Sequence, residues 1–119
     1  ECFELEQMID YNERRFRPVS NSPNGEISEE VLFHYHQKGS VVTCSYQGGR
    51  ITQGHLIALV DDKGCLDMRY HQVNELGELM TGTCHSTPEV LHNGKLRLHE
   101  EWQWTSGDMS KGSSILEEI

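Results

Sequence analysis

The sequence predicts an all-β protein: one small antiparallel up-and-down β-barrel of about eight strands, with a two-sheet sandwich as the alternative. Three observations carry that prediction. Short runs with a side-chain period of two recur along the chain, the mark of strands with one buried face. Glycine turns separate these runs at strand-plus-turn spacing: Gln47-Gly48-Gly49, Asp61-Asp62-Lys63-Gly64, Asn74-Glu75-Leu76-Gly77 and Asn93-Gly94. Gly54 and Gly82 fall inside two runs, where a bulge or tight bend lets a sheet curl and close.

The 119 residues, 35% of them hydrophobic, suit a single domain over 1–119 with one modest core. Residues 1–10, ECFELEQMID, form an N-terminal extension whose Phe3, Leu5, Met8 and Ile9 fit a short helix or a frayed end. Arg14, Arg15 and Arg17 make 12–18 basic. An anion site is one reading; a first strand pairing with acidic neighbours is the one expected. SNSPNG at 20–25 is a loop by composition, and Ser28-Glu29-Glu30 could cap a helix but is expected to lead into the next strand.

The run 31–37, VLFHYHQ, places Val31, Phe33 and Tyr35 on one face and Leu32, His34 and His36 on the other. Lys38-Gly39-Ser40 turns the chain into a strand at 41–46, and 51–60 follows. In 65–73, Leu66, Met68, Tyr70 and Gln72 oppose Asp67, Arg69, His71 and Val73. The strand 78–86 is expected to stop at Thr87-Pro88, because proline cannot donate to a ladder. In 95–104, Leu96, Leu98, Glu100, Trp102 and Trp104 alternate with Arg97, His99, Glu101 and Gln103. A helix would scatter those charges around its whole cylinder, so a strand is predicted. A final strand is expected at 113–119.

A net charge of −9 repels phosphate backbones and anionic lipid, so neither nucleic acid nor membrane is an expected partner. No basic-then-apolar leader is seen, and the spacing of Cys2, Cys44, Cys65 and Cys84 fits free thiols in a reducing cytoplasm rather than a zinc site. No G-x-S-x-G elbow or other nucleophile motif is present, and no cofactor is expected.

His34-x-His36 invites a metal reading, since two imidazoles on one strand face can chelate. The cupin pattern adds a glutamate a few residues later. Here Gln37-Lys38-Gly39-Ser40-Val41 follows, so solvent-facing histidines are expected and no metal.

Glu100 is the sharpest feature. If the tryptophan face of its strand points inward, so does Glu100, and a buried carboxylate needs a partner. Tyr70, Gln72, Thr83 and His85 are predicted on the inner faces of neighbouring strands. With Glu100, Trp102 and Trp104 they would form a ligand pocket with an aromatic wall. The alternatives are a satisfied core network, a Glu100 at the barrel mouth, or a bulge that brings Arg69, His71, Glu101 and Gln103 inside instead.

FRPVSNS at 16–22, G-x-L-I at 54–57, MRYHQV at 68–73 and WQWTSGD at 102–108 resemble a family of short bacterial proteins often labelled N-acetylglutamate synthase. The likeness spans roughly 8–119. It implies a lipocalin- or avidin-like barrel, and the label implies acetyl transfer from acetyl-CoA to glutamate in arginine biosynthesis. The residues lack the Q/R-x-x-G-x-G/A loop with which such acetyltransferases hold a pyrophosphate at a helix N-terminus. The leading expectation is therefore a small-molecule-binding barrel, with an acetyltransferase and a structural or interaction protein, such as a homodimer, as alternatives.

Overall fold

The computed structural model describes residues 9–119; the helix considered at the N-terminus falls, up to residue 8, outside the described residues. Among the described residues there is no helix. Nine strands follow in order: β1 (Arg15–Asn21), β2 (Phe33–His34), β3 (His36–Lys38), β4 (Val41–Gly48), β5 (Ile51–Val60), β6 (Leu66–Asn74), β7 (Leu79–Val90), β8 (Leu96–Trp104) and β9 (Lys111–Glu118). They form one sheet in the order β2-β1-β9-β8-β7-β6-β5-β4-β3. Every described pairing is antiparallel.

The two ends of that order, β2 and β3, are separated in the chain by Tyr35 alone. They are halves of the one strand expected at 31–37. The first half pairs with β1 (Phe16↔Phe33) and the second with β4 (His36↔Thr43). Tyr35 itself donates its N–H to Arg14 O and accepts from Glu13 N, both at 2.9 Å. The run thus draws the sheet's two edges together into a nearly closed barrel, which removes long unpaired edges.

Alternation decides what fills the bore. Along β8 the even positions Leu96, Leu98, Glu100, Trp102 and Trp104 are buried, and the odd positions face outward or lie half-exposed. Phe16, Val31, Phe33, Tyr35, Val42, Leu56, Leu66 and Leu116 complete much of the core. The basic stretch joins the wall as expected: Arg14 pairs with Glu118 at 2.9 Å, and Arg15 and Arg17 face out from β1.

Gly54 and Gly82 help closure by a different route from the expected bend. Each lies directly across from an aromatic residue: Tyr46↔Gly54 and Tyr70↔Gly82, with Trp102↔Gly112 as a third case. A Cβ at any of these glycines would lie 2.3 Å from ring atoms. The missing side chain is the seat of the ring. Laying an aromatic ring over a bare glycine backbone restores the packing that the glycine itself cannot supply. The true irregularity in β5 is next door, a register shift between Ile51 and Gln53.

One strand end also differs. β7 continues through Pro88 to Val90 instead of stopping at Thr87-Pro88. Its pairing with β6 ends at Ser86, while pairing with β8 runs on to Val90↔Leu96. Past Ser86 the strand has one open side, and a residue without an N–H is tolerated there.

The barrel has two unlike ends. One carries the lead-in segment 9–14 and the turns β3–β4, β5–β6 and β7–β8. There Tyr11 Oη donates to Gly64 O. The other carries the loop 22–32 and the turns β4–β5, β6–β7 and β8–β9. Gly48, at φ +138°, lets this loop lie close: a Cβ would come 2.6 Å from Glu30 O.

Candidate functional site

Against the loop end lies a cavity whose walls include Tyr46, Tyr70, Trp102 and Trp104. The rings meet at angles: Tyr70 stands edge-on to Trp104 at 5.6 Å, and the two indoles are tilted at 5.8 Å. The ring-on-glycine pairs hold Tyr46, Tyr70 and Trp102 in the wall. The space open to the centre of a water molecule is about 40 Å³, room for a few waters at most.

Loop 22–32 covers this cavity, and its Glu26 points inward and is buried. The Glu26 carboxylate accepts from Gln72 Nε2 at 2.8 Å and Asn74 Nδ2 at 2.6 Å. Tyr46 Oη donates to Gln72 Oε1 at 2.8 Å, so a polar chain crosses the mouth from wall to loop. Trp104 Nε1 donates to Asn24 O at 3.2 Å. Apolar contacts add to these ties, since Val31 belongs to the core and Ile27 packs against it.

Deeper in, Glu100 faces the bore at 8% exposure. Its neighbours across the ladder are Ser86 on β7 and Ser114 on β9. Ser114 Oγ donates to Oε1 at 3.3 Å. Glu100 Oε2, Ser86 Oγ and Tyr35 Oη are buried with no hydrogen-bond partner among the described residues. Burial pushes the Glu100 carboxyl up to about 7, while the Ser114 and Ser86 hydroxyls pull it the other way. Ser86 is thus near enough to favour the charged form without closing a hydrogen bond. Protonated, the carboxyl offers a proton; ionised, it offers only lone pairs.

Five of the seven expected pocket residues line this cavity: Tyr70, Gln72, Glu100, Trp102 and Trp104. The inward facing of the tryptophan strand holds, and Arg69, His71, Glu101 and Gln103 stay outside. Thr83 and His85 do not point in. On β7 the inner residues are Gly82, Cys84 and Ser86, which places Thr83 and His85 on the outer surface. The cause is pairing: Gly82 must lie under Tyr70, and Cys84 opposite Trp102.

Sequence reasoning missed Glu26, Ser86 and the site role of Tyr35. Tyr35 carried a signal in the inward parity of its run. Ser86 would have followed from the opposite parity of β7. Glu26 sits in an aperiodic loop and had none. Cys84 also lines the cavity, and Cys44 is buried in the core; both are free. Burial pushes both thiols up, Cys44 to about 12, so neither is a poised nucleophile.

Outside the barrel, the histidine pair of the split strand has a carboxylate after all. Glu13, upstream rather than downstream, places Oε1 2.6 Å from His34 Nε2.

Comparison with known proteins identifies the architecture. A family model described as avidin-like protein matches residues 9–119, and the chain belongs to that family. Its members typically bind small ligands such as biotin and often form oligomers. No curated protein and no solved structure matches the chain. The resemblance to an avidin-like barrel therefore stands, and the N-acetylglutamate synthase label that came with it has no support here.

Proposed function

We propose that this avidin-like chain binds a small molecule inside the barrel, against the aromatic wall and with its polar end at Glu100. The observation that carries the reading is the set of three buried polar atoms lacking protein partners: Glu100 Oε2, Ser86 Oγ and Tyr35 Oη. Buried polar groups in folded proteins are almost always paired. Two of the three, Glu100 and Tyr35, belong to residues lining one cavity, and the third is the cross-strand neighbour of Glu100. Such a group is completed by a guest.

The chemistry selects the guest. A carboxylate accepts hydrogen bonds, and tyrosine and serine hydroxyls can donate them. A urea, lactam or amide offers N–H and C=O side by side and matches both. Its apolar remainder would lie along Tyr70, Trp102 and Trp104, where burial of carbon surface supplies affinity. Biotin, with its cyclic urea, heads the set to be tried. A guest of that size exceeds the present cavity, so loop 22–32 and Glu26 must give way, exchanging their hydrogen bonds for water.

Calorimetric titration of biotin, smaller cyclic ureas and lactams tests the proposal, with Trp102→Phe as the variant that keeps the core filled. Saturable binding that weakens in Trp102→Phe is expected. Affinity for an N–H donor should rise with pH up to about 7 and then level, because below that value a proton must leave Glu100 first. If no compound of these classes binds and the interior proves filled by side chains, the reading fails. Acetyl-CoA with glutamate, followed by thiol release, serves as the control for acyl transfer.

A further inference from the structure

The seam of the barrel carries a second constellation. His34 and His36 project outward on either side of Tyr35, whose ring is fully buried against Phe16 at 4.9 Å. The two imidazole rings lie 4.5 Å apart. The backbone of Glu13 is bonded to Tyr35, the residue between them, which sets the Glu13 side chain beside both. One oxygen lies 2.6 Å from His34 Nε2 and the other 3.8 Å from His36 Nδ1. One donor atom from each residue lies within 4.8 Å of the other two, and this is the one such group of three among the described residues.

The backbone holds Glu13 in an unusual way. It sits at φ +65°, in a turn closed by Arg14 N–H to Tyr11 O at 3.2 Å. That region favours glycine or asparagine over a long side chain. The carboxylate is delivered to the histidines by a conformation its residue type does not prefer.

We propose that Glu13, His34 and His36 form a site for a divalent transition metal of the zinc class, and that the ion clips the barrel shut. Two imidazoles and one carboxylate suit zinc, nickel or copper, whereas calcium and magnesium demand oxygen ligands. The three side chains remain partly exposed, so solvent completes the coordination. Placement gives the ion its role. His34 belongs to β2, held to β1 by two residue pairs, and His36 to β3, held to β4 by three. Glu13 leads into β1. One ion would bridge the two edges where the ladder is shortest, and an ion bound only by the folded form raises stability with the logarithm of its free concentration over its dissociation constant.

The experiment is a titration of zinc chloride, and separately nickel chloride, into chelator-treated and dialysed full chain. Calorimetry reads binding and thermal unfolding reads stability. One saturable site is expected, with Tm rising as the site fills. His34→Ala/His36→Ala should abolish both effects, and Glu13→Gln should weaken binding roughly tenfold or more while keeping side-chain shape. His55 and His71, stacked at 5.7 Å on the outer wall, supply the control: His55→Ala/His71→Ala should leave both effects intact. The altered groups lie on the outer surface, so circular dichroism of the metal-free variants should match wild type. Absence of saturable binding, or binding and Tm response that persist in His34→Ala/His36→Ala, would overturn the proposal.

Discussion

The two ends of the barrel use aromatic residues for opposite purposes. Toward the lead-in end Tyr11, Phe16 and Tyr35 pack ring to ring at 4.9 to 6.5 Å, each wholly buried, and of the three only Tyr35 also lines the cavity. At the loop end Tyr46, Tyr70, Trp102 and Trp104 border free space, and the first three lie over glycines. One end spends its rings on cohesion and the other on a wall. Glu100 lies between, which explains why a carboxyl can sit in the bore: it borders the cavity on one side and the packed core on the other.

The contrast can be broken from the packed side first. Leu98→Ala removes a fully buried side chain opposite Leu116 and should cost about 2–5 kcal/mol of stability by chemical denaturation. Binding at the loop end should change little, provided the measurement is made where the variant is folded. Loss of binding equal to the loss of stability would show that the two ends are one cooperative packing unit.

Glu100→Gln acts at the boundary. The folded-state pKa of about 7 lies above the ordinary value of 4.5. The folded form therefore holds a proton that the unfolded form releases across that interval. Stability is lost as pH rises from about 4.5 through 7, and the deficit, on the order of 3 kcal/mol, persists above it. Tm measured from pH 5 to 8 should fall more steeply for wild type than for Glu100→Gln, with the variant more stable at pH 8. Parallel profiles would mean that solvent already reaches the carboxyl.

A finer probe is Gly82→Ala. Its methyl group would overlap the Tyr70 ring, and overpacking of this kind costs about 1–3 kcal/mol. Because Tyr70 must swing from the wall, ligand affinity should fall with it. Unchanged affinity would remove Tyr70 from the site.

How much of this could be read beforehand depended on contrast along each strand. In β8, leucine and tryptophan alternate with arginine, histidine and glutamine, so the inner face was legible and Glu100 with it. In β7 the inner Gly82-x-Cys84-x-Ser86 and the outer Thr81-x-Thr83-x-His85 are both small or polar. Nothing local distinguishes those faces; the parity comes from Tyr70 and Trp102 on neighbouring strands. Glu26 and Glu13 were illegible for another reason. Each is delivered by an aperiodic segment to residues far along the chain, Gln72 and His34, and only closure of the sheet makes them neighbours.

The ring-on-glycine pairs have one more consequence. Tyr46 with Gly54, Tyr70 with Gly82, and Trp102 with Gly112 each lie within a single hairpin. Their loop-closure entropy is small, whereas joining Phe16 to Glu118 spans nearly the whole polypeptide. Loop-closure entropy therefore favours forming these three pieces of the aromatic wall before the long-range step that brings them around a common axis.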